Sequence, residues 1–167
     1  GYACTSAASV IGEARVSELI TGARPEAAST NPATALKAAL GVLGAQRVSV
    51  LTPYNVAVTQ DIVAMLEKDD FKVTSVTTFN EEVEAKVARI TPQSILAAAV
   101  AAGQNEAAEA VFISCTNLRC AGIIAEAERR TGKPVLSSNL ALLWHMMRLA
   151  GLETQGIADS RLLDHCN

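Results

Sequence analysis

The sequence predicts an α/β protein whose parallel sheet is covered by helices on both faces. Short apolar segments rich in β-branched residues alternate with longer segments whose apolar residues recur at helical spacing. Proline and glycine signals separate most of these segments. Half of the 167 residues are hydrophobic, which is enough for a sizeable core. Alternating helices and apolar strands are typical of parallel sheets.

Four segments are predicted to be strands because each is short, apolar and bounded by turn residues. They are RVSVLT (47–52), FKVTSVTT (71–78), AVFIS (110–114) and PVLS (134–137). A predicted helix separates each strand from the next along the chain. We therefore expect parallel strands joined by helical crossovers.

The helices are predicted from their apolar spacing and from the signals at their ends. Asn31-Pro32 and Thr91-Pro92 are N-terminal signals, and glycines mark several C-terminal ends. The predicted helices are a first one beginning near residue 11 or 12, then 32–43, 56–68, 92–103, 118–130 and 139–150. Residues 21 to 32 are predicted to form a loop. In the last helix, Leu140, Leu143 and Met147 are predicted to form a buried stripe, with Trp144 and His145 as packing residues.

Composition excludes several classes of function. Charged residues make up 19% of the chain, the net charge is -3 and no block of Lys or Arg occurs, so nucleic-acid binding is disfavoured. No apolar stretch approaches the ~20 residues that span a membrane, and the first residues lack the pattern of a signal peptide. We expect a soluble protein with no membrane partner.

The four cysteines favour a reducing, cytoplasmic location over a disulfide scaffold. Cys4, Cys115, Cys120 and Cys166 are too few and too scattered for such a scaffold. Neither a C-x2-C nor an H-x3-H pair occurs, so no metal site is predicted. No glycine-rich phosphate loop is present, and no cofactor is expected.

Two Cys-Thr pairs occur in similar settings and suggest two halves of one site. Cys115 follows the predicted strand AVFIS and precedes a predicted helix, with Thr116 and Asn117 next to it. Ligands of parallel sheets collect at this edge, where helix N-termini stabilise a thiolate or a carboxylate. Cys4 is followed in the same way by Thr5 and Ser6.

Two further residues are assigned by their position. Tyr54 follows the strand at 47–52 at the same edge as Cys115. There its hydroxyl could bind a carboxylate or an anionic intermediate. A tyrosine that only forms part of the turn is an equal alternative. Cys120 has no polar neighbours of this kind and is predicted to belong to the core.

With these motifs, the sequence resembles the aspartate/glutamate racemase superfamily, and within it the maleate cis-trans isomerases and their relatives among ectoine-utilisation proteins. The stretches that carry the resemblance are GYACTSAASVIGEA, VSVLTPYNVAV, VFISCTNLR and GKPVLSSNLALLWHMMRLAG. They run from the first residues to about Gly151, so the resemblance extends over nearly the whole chain. Two separate Cys-Thr turns with a strand-TPY element between them make the match specific.

The resemblance implies two pseudo-symmetric α/β lobes, with one cysteine from each facing a small cleft. Cys4 and Cys115 match those cysteines, Tyr54 matches a substrate-binding tyrosine, and Asn80 matches a pocket asparagine. Thr5, Ser6, Thr116 and Asn117 would hold the substrate's carboxylates. Residues 1–46 would be the remainder of the first lobe, 47–137 the second lobe, and 138–167 a return segment. Family members carry a further N-terminal segment ahead of the position of residue 1.

The activity that the resemblance implies is a cofactor-independent isomerisation of a small dicarboxylate, of the maleate-to-fumarate type. Three alternatives remain open at this stage. One is an amino-acid or hydantoin-type racemase that uses the cysteines as an acid/base pair, and another is an arylmalonate-type decarboxylase. The third is a non-catalytic relative that binds a dicarboxylate. A homo-oligomer is expected.

Overall fold

The protein folds around a parallel sheet, as the sequence predicts. The structure is a computed structural model that describes residues 1–165. In this range the four strands are β1 (Arg47–Thr52), β2 (Lys72–Thr78), β3 (Ala110–Ile113) and β4 (Val135–Ser137), in the spatial order β2-β1-β3-β4. Every neighbouring pair is parallel, so all carboxyl ends lie at one edge.

Eight α-helices accompany these strands in residues 1–165. They are α1 (Thr5–Ile11), α2 (Glu13–Ala23), α3 (Pro32–Val42), α4 (Val56–Glu67), α5 (Glu84–Val87), α6 (Pro92–Gly103), α7 (Ile124–Thr131) and α8 (Ser138–Leu149). A short 3-10 turn, Ala121–Ile123, leads into α7. None of these helices has the length and apolar character that a membrane crossing requires.

Helices cover both faces of the sheet, which is why its central strands β1 and β3 are almost wholly buried. On one face, α3, α4 and α8 pack against β1 and β3 through side chains such as Leu36, Ile62 and Trp144. On the other face, α6 and α7 pack through Ile95 and Ala127, among others. The predicted α/β class is therefore confirmed.

The predicted cap signals act as expected at the start of two helices. The Asn31 side chain accepts hydrogen bonds from the backbone N–H groups of Ala33 and Thr34, and Thr91 accepts one from Ser94. Both helices have proline at the first helical position, where its missing N–H leaves no donor unpaired. These two helices and β1 begin where they are predicted to begin.

The prediction for the first helix is wrong. α1 starts at Thr5, directly after Cys4, and not near residue 11 or 12. Gly12 has φ 90°, a conformation that interrupts the helix, and α2 then runs on to Ala23. The irregular segment is consequently shorter than the predicted loop at 21–32.

The helix predicted over 118–130 begins later than expected. Residues 116 to 120 form a turn, and Leu118 and Cys120, two residues apart, both reach the same core cluster, which an α-helix would not allow. The one-turn helix α5 has too few residues for a periodic signal and was not predicted.

The predicted buried stripe of α8 is correct at Leu140, which packs against both core clusters, and wrong at Leu143. Leu143 is 46% exposed, whereas Ser138, Ala141, Leu142 and Trp144 are buried. Trp144 is a packing residue, as predicted. His145 is half-buried, and its Nδ1 lies 2.7 Å from Thr30 Oγ1.

Candidate active site

Tyr54 and Cys115 lie at the same edge of the sheet. Leu51 of β1 and Ile113 of β3 are paired in register, and the chain continues beyond each of them to Tyr54 and Cys115. Neighbouring parallel strands thus place both residues where ligands of such sheets usually bind.

The Cys4 segment is held against this edge by backbone and side-chain hydrogen bonds. Thr116 Oγ1 donates to the carbonyl oxygen of Ala3 at 3.0 Å, and the N–H of Tyr2 donates to the carbonyl of Thr30. Cys4 is the N-cap residue of α1, and its Sγ lies 3.7 Å from Ser6 Oγ. The two Cys-Thr turns are therefore in direct contact.

The Tyr54 hydroxyl lies near both turns. The Cys115 thiol, the Ser6 hydroxyl and the charge of a Cys4 thiolate all influence its pKa. The ring packs against both core clusters, which fixes its position at the junction. We call Cys4, Ser6, Tyr54 and Cys115 the two-cysteine site.

The two-cysteine site contains one strained, buried cysteine. Cys115 has φ 118°, a conformation that L-residues rarely adopt, and it is 3% exposed. Such a backbone conformation costs of order 1–3 kcal/mol, and it persists only where the surrounding structure holds it in place. Asp70 and Asn80 also have positive φ but are exposed, so Cys115 is the residue whose strain the core maintains.

Burial raises the pKa of the Cys115 thiol, because a thiolate is poorly solvated there. The Tyr54 hydroxyl and the backbone N–H groups of Asn117 and Leu118 act in the opposite direction, and the Asn117 N–H lies 3.3 Å from Sγ. The expectation that a following helix would supply these donors is wrong: the turn supplies them, because α7 starts only at Ile124.

Tyr54 is protonated across the physiological range. Burial raises the pKa of its hydroxyl far above the usual value, and the neighbouring Cys115 charge adds to this shift. The hydroxyl is therefore a hydrogen-bond donor to any anion that forms between the cysteines.

The other predicted residues have different surroundings. Thr5 is buried, and its hydroxyl donates to Ser138 Oγ at 2.8 Å. The Asn117 amide donates to Glu84 Oε1 at 2.7 Å. Asn80 is exposed, and its backbone N–H donates to Thr78 Oγ1 within its own loop. Of the predicted residues, the structure thus joins Cys4, Ser6, Tyr54 and Cys115 most directly.

Sequence reasoning missed two residues next to this site. Ser138 Oγ accepts a hydrogen bond from the backbone N–H of Cys115 at 3.0 Å, and Glu84 on α5 binds Asn117. Ser138 directly follows β4, so the rule that identified Tyr54 and Cys115 at strand ends could have found it. Glu84 carries no comparable signal.

The remaining cysteines lie outside the site or outside the described range. Cys120 is 2% exposed and belongs to the core, as predicted. Cys4, Cys115 and Cys120 are free thiols. Cys166 lies outside the described residues. Within residues 1–165, no group of three His, Cys, Asp or Glu side chains is arranged to hold a metal ion.

Comparison with known proteins agrees with this arrangement. The model of the arylmalonate decarboxylase family matches residues 11–163, and the chain belongs to that family. It is 30% identical over 123 residues to the arylmalonate decarboxylase of Bordetella bronchiseptica, covering 73% of this chain and 51% of that protein. The superfamily suggested by the sequence motifs is thereby confirmed.

Maleate isomerases are also similar over almost the entire chain. The Nocardia farcinica enzyme is 29% identical over 169 residues, which cover 97% of this chain and 67% of that protein. A solved structure of a cysteine-to-serine mutant of that isomerase, with a covalently bound succinylcysteine intermediate, superposes with a TM-score of 0.90 at 27% identity, covering 99% of this chain and 71% of the other. The chain thus spans about half to two thirds of the length of these curated relatives.

Proposed function

We propose that the two-cysteine site catalyses cofactor-independent cis-trans isomerisation of a maleate-type dicarboxylate. The observation that carries the proposal is the direct contact of the two Cys-Thr turns, in which Thr116, next to Cys115, donates a hydrogen bond to the carbonyl oxygen of Ala3, next to Cys4. Similarity to the Nocardia farcinica isomerase and its succinylcysteine structure supports it, as does a structure of a maleate isomerase variant from Pseudomonas putida S16 with maleate.

Cys4 is the nucleophile in this proposal. It is the N-cap residue of α1 and is only partly buried, so its sulfur is accessible to a substrate. Its sulfur forms a bond to one alkene carbon, and the alkene electron pair moves to the other carbon and into the adjacent carboxylate. The remaining carbon–carbon bond is single and rotates.

Cys115 handles the proton. Burial keeps its thiol protonated near neutral pH, so the S–H can donate to the carbanion and give a succinyl adduct on Cys4. The resulting Cys115 thiolate, which Tyr54 and the Asn117 N–H stabilise, then takes a proton back. The electron pair reforms the alkene in the trans geometry, and the Cys4 thiolate leaves.

The carboxylates of the substrate would be held by hydroxyl and amide donors around the cysteines. Ser6 and Tyr54 are in place at the two-cysteine site, and Thr5, Thr116, Asn80 and Asn117 remain candidates. Binding of both carboxylates would also spread the charge of the enediolate-like intermediate.

The same proposal divides the chain into lobes. Residues 1–46 and 138–167 would belong to a first lobe and residues 47–137 to a second. In support, β1 to β4 all lie in the second range, and α3 packs against α8. α1 and α2 leave large apolar side chains exposed, among them Val10 at 75% and Leu19 at 55%.

Decarboxylation of an arylmalonate is a second candidate, because the matching family model bears that description. Loss of carbon dioxide from the substrate would leave an enediolate, which the Cys115 thiol could protonate. This reaction has no step that requires a nucleophile at Cys4. The presence of a thiol at residue 4, beside Ser6 and Tyr54, therefore favours isomerisation.

A direct comparison of substrates tests the proposal. The protein is incubated separately with maleate and with phenylmalonate, and products are followed by proton NMR. Conversion of maleate to fumarate, with phenylmalonate unchanged, is expected. Formation of phenylacetate without fumarate would replace isomerisation by decarboxylation, and turnover of neither compound would contradict both activities for this chain.

A further inference from the structure

Ser138, the first residue of α8, joins the two cysteine-bearing segments through one oxygen atom. Its Oγ accepts a hydrogen bond from Thr5 Oγ1 at 2.8 Å and another from the backbone N–H of Cys115 at 3.0 Å. Ser138 is 0% exposed and Thr5 is 1% exposed, so water does not compete for these bonds. The hydroxyl thus contacts the residue after Cys4 and the backbone of Cys115.

We propose that Ser138 is a positioning residue that holds the Cys115 turn in its reactive conformation and ties it, through Thr5, to the Cys4 segment. The proposal rests on the two-cysteine chemistry proposed above. Cys115 has φ 118°, which persists only where neighbouring contacts hold the backbone. The bond from the Cys115 N–H to Ser138 is such a contact, and it acts on the strained residue itself.

The conformation of this turn determines what surrounds the sulfur. It places the Asn117 N–H 3.3 Å from Cys115 Sγ. Without the Ser138 oxygen, the buried Cys115 N–H would have no acceptor. The turn would then relax toward an ordinary backbone conformation, and the sulfur would lose the N–H donors that stabilise its thiolate.

The start of α8 does not require the Ser138 hydroxyl. Ser137 is the N-cap residue, and its Oγ accepts a hydrogen bond from the Leu140 N–H at 3.1 Å. The capping role and the contact to Cys115 are therefore divided between two adjacent serines. Ser137 consequently provides a matched control, since its loss weakens the helix without removing the acceptor from Cys115.

The ionisable groups that face Cys115 come from three other places in the fold. Tyr54 after β1 lowers the pKa of its thiol, Glu84 on α5 disfavours its thiolate by charge, and Cys120 lies farther along the same loop. None of them changes in the Ser138 variants. A shift in the reactivity of Cys115 in these variants would therefore reflect a change in the geometry of its turn.

Cys115 reactivity can be measured separately from the other thiols. The purified protein is treated with iodoacetamide across a pH series, quenched, digested with trypsin and analysed by mass spectrometry. Cleavage after Arg89 and Arg119 gives a peptide in which Cys115 is the sole cysteine, and cleavage after Arg15 isolates Cys4. The variants are Ser138→Ala, Ser138→Thr and Ser137→Ala, with folding checked by circular dichroism.

We expect Ser138→Ala to shift the Cys115 pH–rate profile upward by about one pH unit, with alkylation roughly three- to tenfold slower at neutral pH. Ser138→Thr retains the hydroxyl and should keep the wild-type profile. Ser137→Ala should lower Tm without shifting the profile. An unshifted Ser138→Ala profile, or an equal shift in Ser137→Ala, would overturn the proposal.

The result is independent of the proposed function, because alkylation requires no dicarboxylate. If Ser138→Ala does not fold, Ser138→Thr decides: a wild-type profile supports the proposal, and a shifted one overturns it. Maleate turnover by the wild-type protein is measured in parallel. A shifted alkylation profile together with no turnover would retain Ser138 as a positioning residue and reject the isomerase activity alone.

Discussion

The two Cys-Thr turns have the same local sequence pattern but different surroundings. Cys4 is partly exposed, has an extended backbone with φ -144° and precedes a helix directly. Cys115 is buried, has φ 118° and accepts a hydrogen bond at its sulfur from the Asn117 N–H of its own turn, while Tyr54 lowers the pKa of its thiol. The pattern places a thiol at each half of the site, whereas in the proposed mechanism the tertiary surroundings determine which thiol attacks and which one carries a proton.

The largest effect is expected from removing the nucleophile. Cys4→Ser should lower maleate turnover by at least about 10³-fold, because a serine hydroxyl is far less nucleophilic than a thiolate at neutral pH. Turnover is measured by the appearance of fumarate in the NMR spectrum, and circular dichroism checks the fold. Cys120→Ala is the matched control, since it removes a buried thiol outside the site and should lower Tm while turnover persists. Retained turnover in Cys4→Ser would refute the assignment.

A smaller loss of turnover is expected when the Tyr54 hydroxyl is removed. Tyr54→Phe should reduce kcat by roughly 10²-fold, the range for loss of one donor to a developing anion. The hydroxyl lowers the pKa of Cys115 against the effect of burial, so its removal should raise that pKa further and move the alkylation profile of Cys115 to higher pH.

The control for this prediction is the other tyrosine. Tyr2 donates a backbone N–H to the carbonyl of Thr30, a bond that Tyr2→Phe leaves in place. This variant should retain both the rate and the profile. If Cys115 alkylation in Tyr54→Phe rises at the same pH as in the wild-type protein, or at a lower pH, then Tyr54 does not stabilise the Cys115 thiolate.

The smallest effect concerns the backbone that directs α1 and therefore Cys4. Gly12 has φ 90° with nothing within 4 Å of a Cβ built on it, so strain alone should make Gly12→Ala destabilising by about 1–2 kcal/mol. Gly22 lies in the last turn of α2 with the same free space, and Gly22→Ala should stabilise by up to about 1 kcal/mol. Chemical denaturation measures both, and effects of the same sign would contradict this account.

Much of the fold could be predicted because its signals are local. The strands β1 to β4 and the caps at Asn31 and Thr91 follow from short apolar runs and from turn chemistry. The break at Gly12 and the turn at Cys115 depend on positive φ angles, which the spacing of apolar residues does not reveal. The first helix was therefore predicted to start too late, near residue 11 or 12 instead of Thr5, and the helix predicted from residue 118 too early, since α7 starts at Ile124.

The candidate site could be predicted in part for the same reason. Cys115 and Tyr54 follow strands, and the ends of parallel strands share one edge, so the sequence alone indicates their proximity. The contact of Ser138 with both Cys115 and Thr5 joins residues 23 and 133 positions apart. No local pattern encodes such a contact.

The central claim is that Cys4 forms the covalent bond and Cys115 handles the proton. The most direct test incubates Cys115→Ser with maleate and locates any adduct by intact mass and peptide mapping. The account predicts one added maleate on the peptide containing Cys4, and no adduct in the Cys4→Ser, Cys115→Ser double variant. An adduct on any other residue, or the absence of an adduct together with wild-type turnover in Cys115→Ser, would contradict it.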